Sequence, residues 1–97
     1  PDVTIVYWRD IPAQVIVGKG RKGEKRQLAE RFEQAIDRAA MKSGLAGTDD
    51  YLSEWRKVQT ATIDGDAIAI ADAEAERLEA EYDHELVKTL IANNGRA

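Results

Sequence analysis

The stretch Gln14–Phe32, QVIVGKGRKGEKRQLAERF, decides how the rest of this sequence is read. Val15-Ile16-Val17 has the branched side chains of a strand. Gly18-x-Gly20-x-x-Gly23 follows, together with five basic residues and then a run of good helix formers. Between a strand and a helix, this is the glycine spacing of a loop that cradles a dinucleotide pyrophosphate. The remainder of that pattern is missing. A parallel strand ending in an acidic residue is due about 20 residues on, and SGLAGT (43–48) stands there instead. A P-loop would need Gly-Lys followed by Ser or Thr, which is also absent. The stretch therefore reads as a strand, a basic glycine loop and a helix from about Lys25 to Ser43, with Leu28, Phe32, Ala35, Ile36 and Ala39 on one face.

Upstream, Val3–Trp8 reads as a strand rich in β-branched and aromatic residues. Pro12 in Arg9-Asp10-Ile11-Pro12 is expected to interrupt the ladder, so the second strand is placed at Ala13–Val17. A four-residue link is too short for a parallel crossover and predicts an antiparallel hairpin. Downstream, Gly44 sits where a left-handed C-cap belongs. Thr48 is the expected N-cap of a short helix that carries Tyr51, Leu52 and Trp55 and ends near Arg56. Lys57–Ile63 reads as a third strand. After the Asp64-Gly65 turn two readings compete, a hairpin into AIAIA or a helix capped by Asp66. The Ala, Leu and Glu content of 66–95 favours the helix, with Ile68, Ala71, Ala75, Leu78 and Tyr82 at helical spacing. The predicted architecture is ββααβα, an α+β fold of two layers: a small, mainly antiparallel sheet packed against two main helices plus one short helix, as a single domain over residues 1–97.

Composition narrows the function classes. The 97 residues are 43% hydrophobic and 33% charged, which suits one small core. There is no Cys, which removes disulfides and thiol chemistry and fits a reducing cytoplasm. No apolar run reaches the length of a membrane span, and PDVTIVYW lacks the features of a signal peptide. The net charge of −4 is unevenly placed. Residues 1–48 hold nine Lys/Arg against six Asp/Glu, a net of +3, and residues 49–97 hold five against twelve, a net of −7. A basic front and an acidic back predict two different surfaces.

The candidate sites are few. Lys19, Arg21, Lys22, Lys25 and Arg26 on the glycine loop form a candidate anion-binding group, with weak contact to nucleic-acid backbones as one use. Trp8-Arg9 and Trp55-Arg56 are candidate interface residues, because Trp and Arg dominate interface energies. His84 is the only histidine. Glu81-x-x-His84 matches half of a di-iron motif, but such a site needs a second unit. Ser43 and Ser53 have no nucleophile context. No catalytic residue, cofactor site or metal site is expected.

The run Tyr7–Arg56 resembles a small bacterial family known as the virulence factor domain. Tyr7-Trp8-Arg9-Asp10-Ile11-Pro12, Gln14–Gly20, RFEQAIDRAAM (31–41) and DDYLSEW (49–55) carry the resemblance, over roughly the first 55 to 60 residues. It implies a small cytoplasmic accessory or interaction domain, non-enzymatic, with a protein partner or self-association and no membrane. It supplies no catalytic residue. Some members look associated with folate- and corrinoid-linked one-carbon metabolism, which implies a small subunit of a methyl-transfer complex as an alternative.

Overall fold

The computed structural model describes residues 1–19 and 22–97. The chain runs β1 (Asp2–Trp8), β2 (Ile11–Val17), β3 (Glu24–Gln27), α1 (Glu30–Lys42), α2 (Asp49–Ser53), β4 (Trp55–Thr62), α3 (Ala67–Glu81) and α4 (His84–Ala92). The four strands form one antiparallel sheet in the order β3-β2-β1-β4. The α+β class and the β1–β2 hairpin are as expected.

Four expectations about the elements change, the smallest being that the short helix ends at Ser53, so that Trp55 and Arg56 open β4. The glycine loop connects two antiparallel strands, not a strand and a helix: Glu24–Gln27 pairs with β2, and helix α1 starts only at Glu30. Glu, Lys, Arg and Gln favour helix intrinsically, and the free edge of β2 overrides that preference. Pro12 lies inside β2 and is buried. It stands opposite Tyr7, next to a register shift where the ladder is already irregular. The last helix is two helices. Asp83 accepts a hydrogen bond from the Leu86 N–H at 2.9 Å and caps α4 afresh.

Alternation sorts the sheet's two faces. Val3, Ile5, Val15 and Val17 are fully buried on one face. Arg26 lies on the same face and meets Asp72 of α3 at 3.1 Å, which places α3 over β2 and β3. The α3 side chains that turn inward are Ala71, Ala75 and Leu78. Ile68, expected on that face, is exposed. Alanines let the helix approach the strands closely. Phe32, Ala35, Ile36 and Ala39 of α1 complete the core with Val87 and Leu90 of α4. The predicted caps hold: Thr48 accepts from the Tyr51 N–H, Asp66 from the Ala69 N–H, and Gly44 takes φ +75°.

Candidate functional site

The second face of the sheet is where the fold leaves work undone. Its residues follow from the register. One row across the strands is Lys25, Ile16, Thr4 and Gln59, and the next is Gln27, Gln14, Val6 and Lys57. Thr4, Val6, Gln14 and Ile16 on the central strands are only half-buried, whereas Lys25, Gln27, Lys57 and Gln59 on the edge strands are exposed. These two rows hold two lysines and no carboxylate; Asp2, one row beyond Thr4 on the same face, is engaged by Thr62 and Lys19. Lys25 and Lys57 stand at diagonal corners, three strand spacings, roughly 14 Å, apart across the sheet and one row apart along it. Val6 and Ile16 lie between them. The opposite side of the molecule carries α3, with Asp72, Glu74, Glu76, Glu79 and Glu81 against a single Arg77. The basic and acidic halves of the sequence thus become, in part, two opposed faces.

The basic loop residues do not converge. Lys19 is almost fully exposed and reaches Asp2 at 3.6 Å. Lys22 is exposed. Lys25 joins the open sheet face, while Arg26 turns to the other face and Asp72. Arg21 lies outside the described residues, as does Gly20. The described members therefore point in at least two directions, without one common focus for an anion.

The two Trp-Arg pairs meet at one end of the sheet, since Trp8 pairs with Trp55 and Tyr7 with Arg56. Trp8 is fully buried, and its indole N–H donates to the Tyr51 carbonyl at 2.9 Å. It is thus a core residue and offers no exposed surface to a partner; an end-of-strand Trp reads the same way in sequence whether it is covered or bare. Arg9 occupies a tight turn at φ +54°. Its guanidinium donates to the Asn94 carbonyl at 2.8 Å, pairs with Glu54 at 3.4 Å and lies 5.1 Å from the centre of the Trp8 ring. The segment Asn94–Ala97 closes over this corner: Gly95 accepts from the Asp10 N–H at 2.8 Å, and the Ala97 N–H donates to the Asp10 carboxylate at 2.6 Å. Arg56 donates to the Arg9 carbonyl and to Asp10, both at 3.0 Å. Trp55 is half-buried, edge-on to Tyr51 with ring centres 6.2 Å apart.

Trp55 and Tyr51 line a cleft of about 410 Å³ along α1, beside Glu30, Glu33 and Asp37. Burial pushes the Tyr51 phenol above its ordinary value, and the negative charge of Asp37 adds to the rise. His84 opens α4 and is exposed. It lines a separate cleft with Arg31, Arg38 and Lys88, three residues that the sequence reading did not single out. No cluster of three or more His, Asp or Glu side chains suited to a metal occurs among the described residues. None of the described helices is long and apolar enough to cross a membrane.

The model of the virulence factor family matches residues 6–91, and the chain belongs to that family. The match extends past the N-terminal motifs through α3 and into α4. No curated protein and no solved structure gives a significant match.

Proposed function

We propose that this domain is a non-enzymatic docking module whose open sheet face receives an acidic helical surface of a protein partner. The observation that supports the reading is the grid of Lys25, Ile16, Thr4, Gln59, Gln27, Gln14, Val6 and Lys57. Two-layer folds cover a sheet face with helices, and here these two rows are left open among the described residues. A helix is about 10–12 Å across with its side chains. It fits between Lys25 and Lys57, with apolar residues against Val6 and Ile16 and carboxylates at both flanks. Such charges speed encounter and fix orientation more than they add affinity. The apolar strip between them supplies the holding energy, at about 25 cal/mol per Å² removed from water. The acidic α3 of a second copy has the matching charge, so self-association is one form of the same idea.

The test uses Lys25→Glu/Lys57→Glu, two exposed positions whose change leaves the core intact. Wild type and variant are compared as baits in host lysate and by sedimentation at low salt and at about 0.5 M, where the screening length falls to roughly 4 Å. The reading expects a partner, or a dimer, that wild type holds at low salt and the variant loses. An assembly held equally by both proteins would overturn it.

A further inference from the structure

The helix α1 sorts its surface charges by flank. Glu30, Glu33 and Asp37 recur at three and four residues and face the aromatic cleft, whereas Arg31, Gln34 and Arg38 do the same one position on. Helix α4 packs beside that second flank and adds His84 and Lys88, one turn apart. We propose that the α1–α4 cleft binds a small organic anion, an apolar body bearing a phosphate or carboxylate group. This is independent of the sheet-face reading.

Arg31, Arg38 and Lys88, with His84 beside them, line the cleft against one carboxylate, Glu85, in a chain with 18 Asp/Glu and 14 Lys/Arg. Arg31 is fixed in place. It donates to the Tyr82 and Glu79 carbonyl oxygens, each at 2.7 Å, and lies 4.2 Å from the centre of the Phe32 ring. Those carbonyls close the last turn of α3, whose partial negative charge offsets part of the guanidinium's, so Arg31 anchors the wall of the cleft while Arg38 and Lys88 stay free to meet an anion. Arg38, Lys88 and His84 enter no ion pair among the described residues. The acids of α1 that would otherwise neutralise them stand on the opposite flank. Guanidinium groups match phosphate and carboxylate oxygens with paired donors. The floor is apolar, with Ala35 and Val87 buried and Ile91 half-buried. At about 440 Å³ the cleft is within the size range of small-molecule sites.

Amide NMR shifts test the proposal with three probes: phenyl phosphate, benzoate and, as the cationic control, benzylamine. Both anions should give saturable shifts centred on residues 31–38 and 84–91, with Kd of about 1 mM or tighter. Benzylamine should give none there. Whichever anion saturates first identifies the preferred head group. Arg38→Gln/Lys88→Gln should weaken binding at least about tenfold, since each lost charge-assisted hydrogen bond is worth that much, and Lys88→Arg should retain it. Both positions are exposed, so the melting temperature should hold and report intact folding. Shifts spread evenly over Lys19, Lys25 and Lys57 would mean counterion attraction alone. That outcome, equal affinity in the double variant, or no saturable shift would overturn the proposal.

Discussion

Gly95→Ala separates two reasons for keeping a glycine, because Gly44 serves as its internal control. Both adopt a left-handed backbone, φ +86° at Gly95 and +75° at Gly44. An alanine in that region costs about 1–2 kcal/mol, and the stiffer unfolded chain returns about 0.4–1 kcal/mol. At Gly44 nothing lies within 4 Å of the added methyl, so Gly44→Ala should cost about 1 kcal/mol. At Gly95 the methyl would stand 2.9 Å from one carbon of the Trp8 ring and 3.3 Å from another. Neither side gives way easily. Trp8 is fully buried and tied to Tyr51, while Gly95 is held by the Asp10 N–H and itself donates to the Leu90 carbonyl at 2.7 Å. Overpacking of this kind adds about 1–3 kcal/mol, for a total of about 2–4 kcal/mol. In a chain of this size each kcal/mol moves the melting temperature by about 4–8 °C. Thermal unfolding followed by circular dichroism should then fall by roughly 5 °C for Gly44→Ala and roughly 10–25 °C for Gly95→Ala. Equal melting temperatures for the two variants would refute the argument. So would a Gly95→Ala protein that sheds its last residues, exposes Trp8 to quenchers and melts unchanged, for the closing segment would then contribute nothing.

Three further outcomes follow from the packing. Phe32, buried and edge-on to Tyr82 at 6.5 Å between ring centres, should cost about 3–5 kcal/mol on change to Ala, read from urea unfolding. Asp83→Ala should cost about 1 kcal/mol through the lost cap of α4, with Asp83→Asn near wild type, measured the same way. Burial raises the phenols of both Tyr51 and Tyr82 above 10.0, the second further raised by the neighbouring Tyr7. The folded state therefore keeps those protons when the unfolded chain begins to lose them, so this part of the stability is whole below pH 10 and declines above it. Melting curves between about pH 9 and 11 should show that decline, and absorbance of tyrosinate should show late ionisation of Tyr51 and Tyr82; early ionisation of both would contradict it.

Where local chemistry acts alone, the sequence was legible. The β1 and β2 strands announce themselves through branched residues, and Thr48, Asp66 and Gly44 through the backbone groups that they cap or the turn that they permit. Failures occur where a distant segment decides. Glu24–Gln27 has the composition of a helix and becomes a strand only because β2 offers an unpaired edge. The break at Asp83 had a signal, an acid three residues before Leu86 and then Val87, Leu90 and Ile91 in helical rhythm, but the Ala/Glu run before it masked the change of register. The lysines of the open face become neighbours only through strand order. Arg31 and Arg38 share a flank in any helical reading, yet their meeting with His84 and Lys88 depends on how α4 packs on α1.

β3 has one consequence for how such a domain diversifies. Glu24, Lys25, Arg26 and Gln27 bury no side chain fully, so what holds the strand is its backbone ladder to β2, which any non-proline residue can form, with the Arg26–Asp72 pair beside it. Stability therefore places little demand on which side chains stand at 25 and 27, although these positions border the open face. The sheet edge works as a writable margin: a randomised library at those two sites should yield mostly folded proteins that differ in what they capture, whereas the same exercise at Val15 or Phe32 should yield mostly unfolded ones.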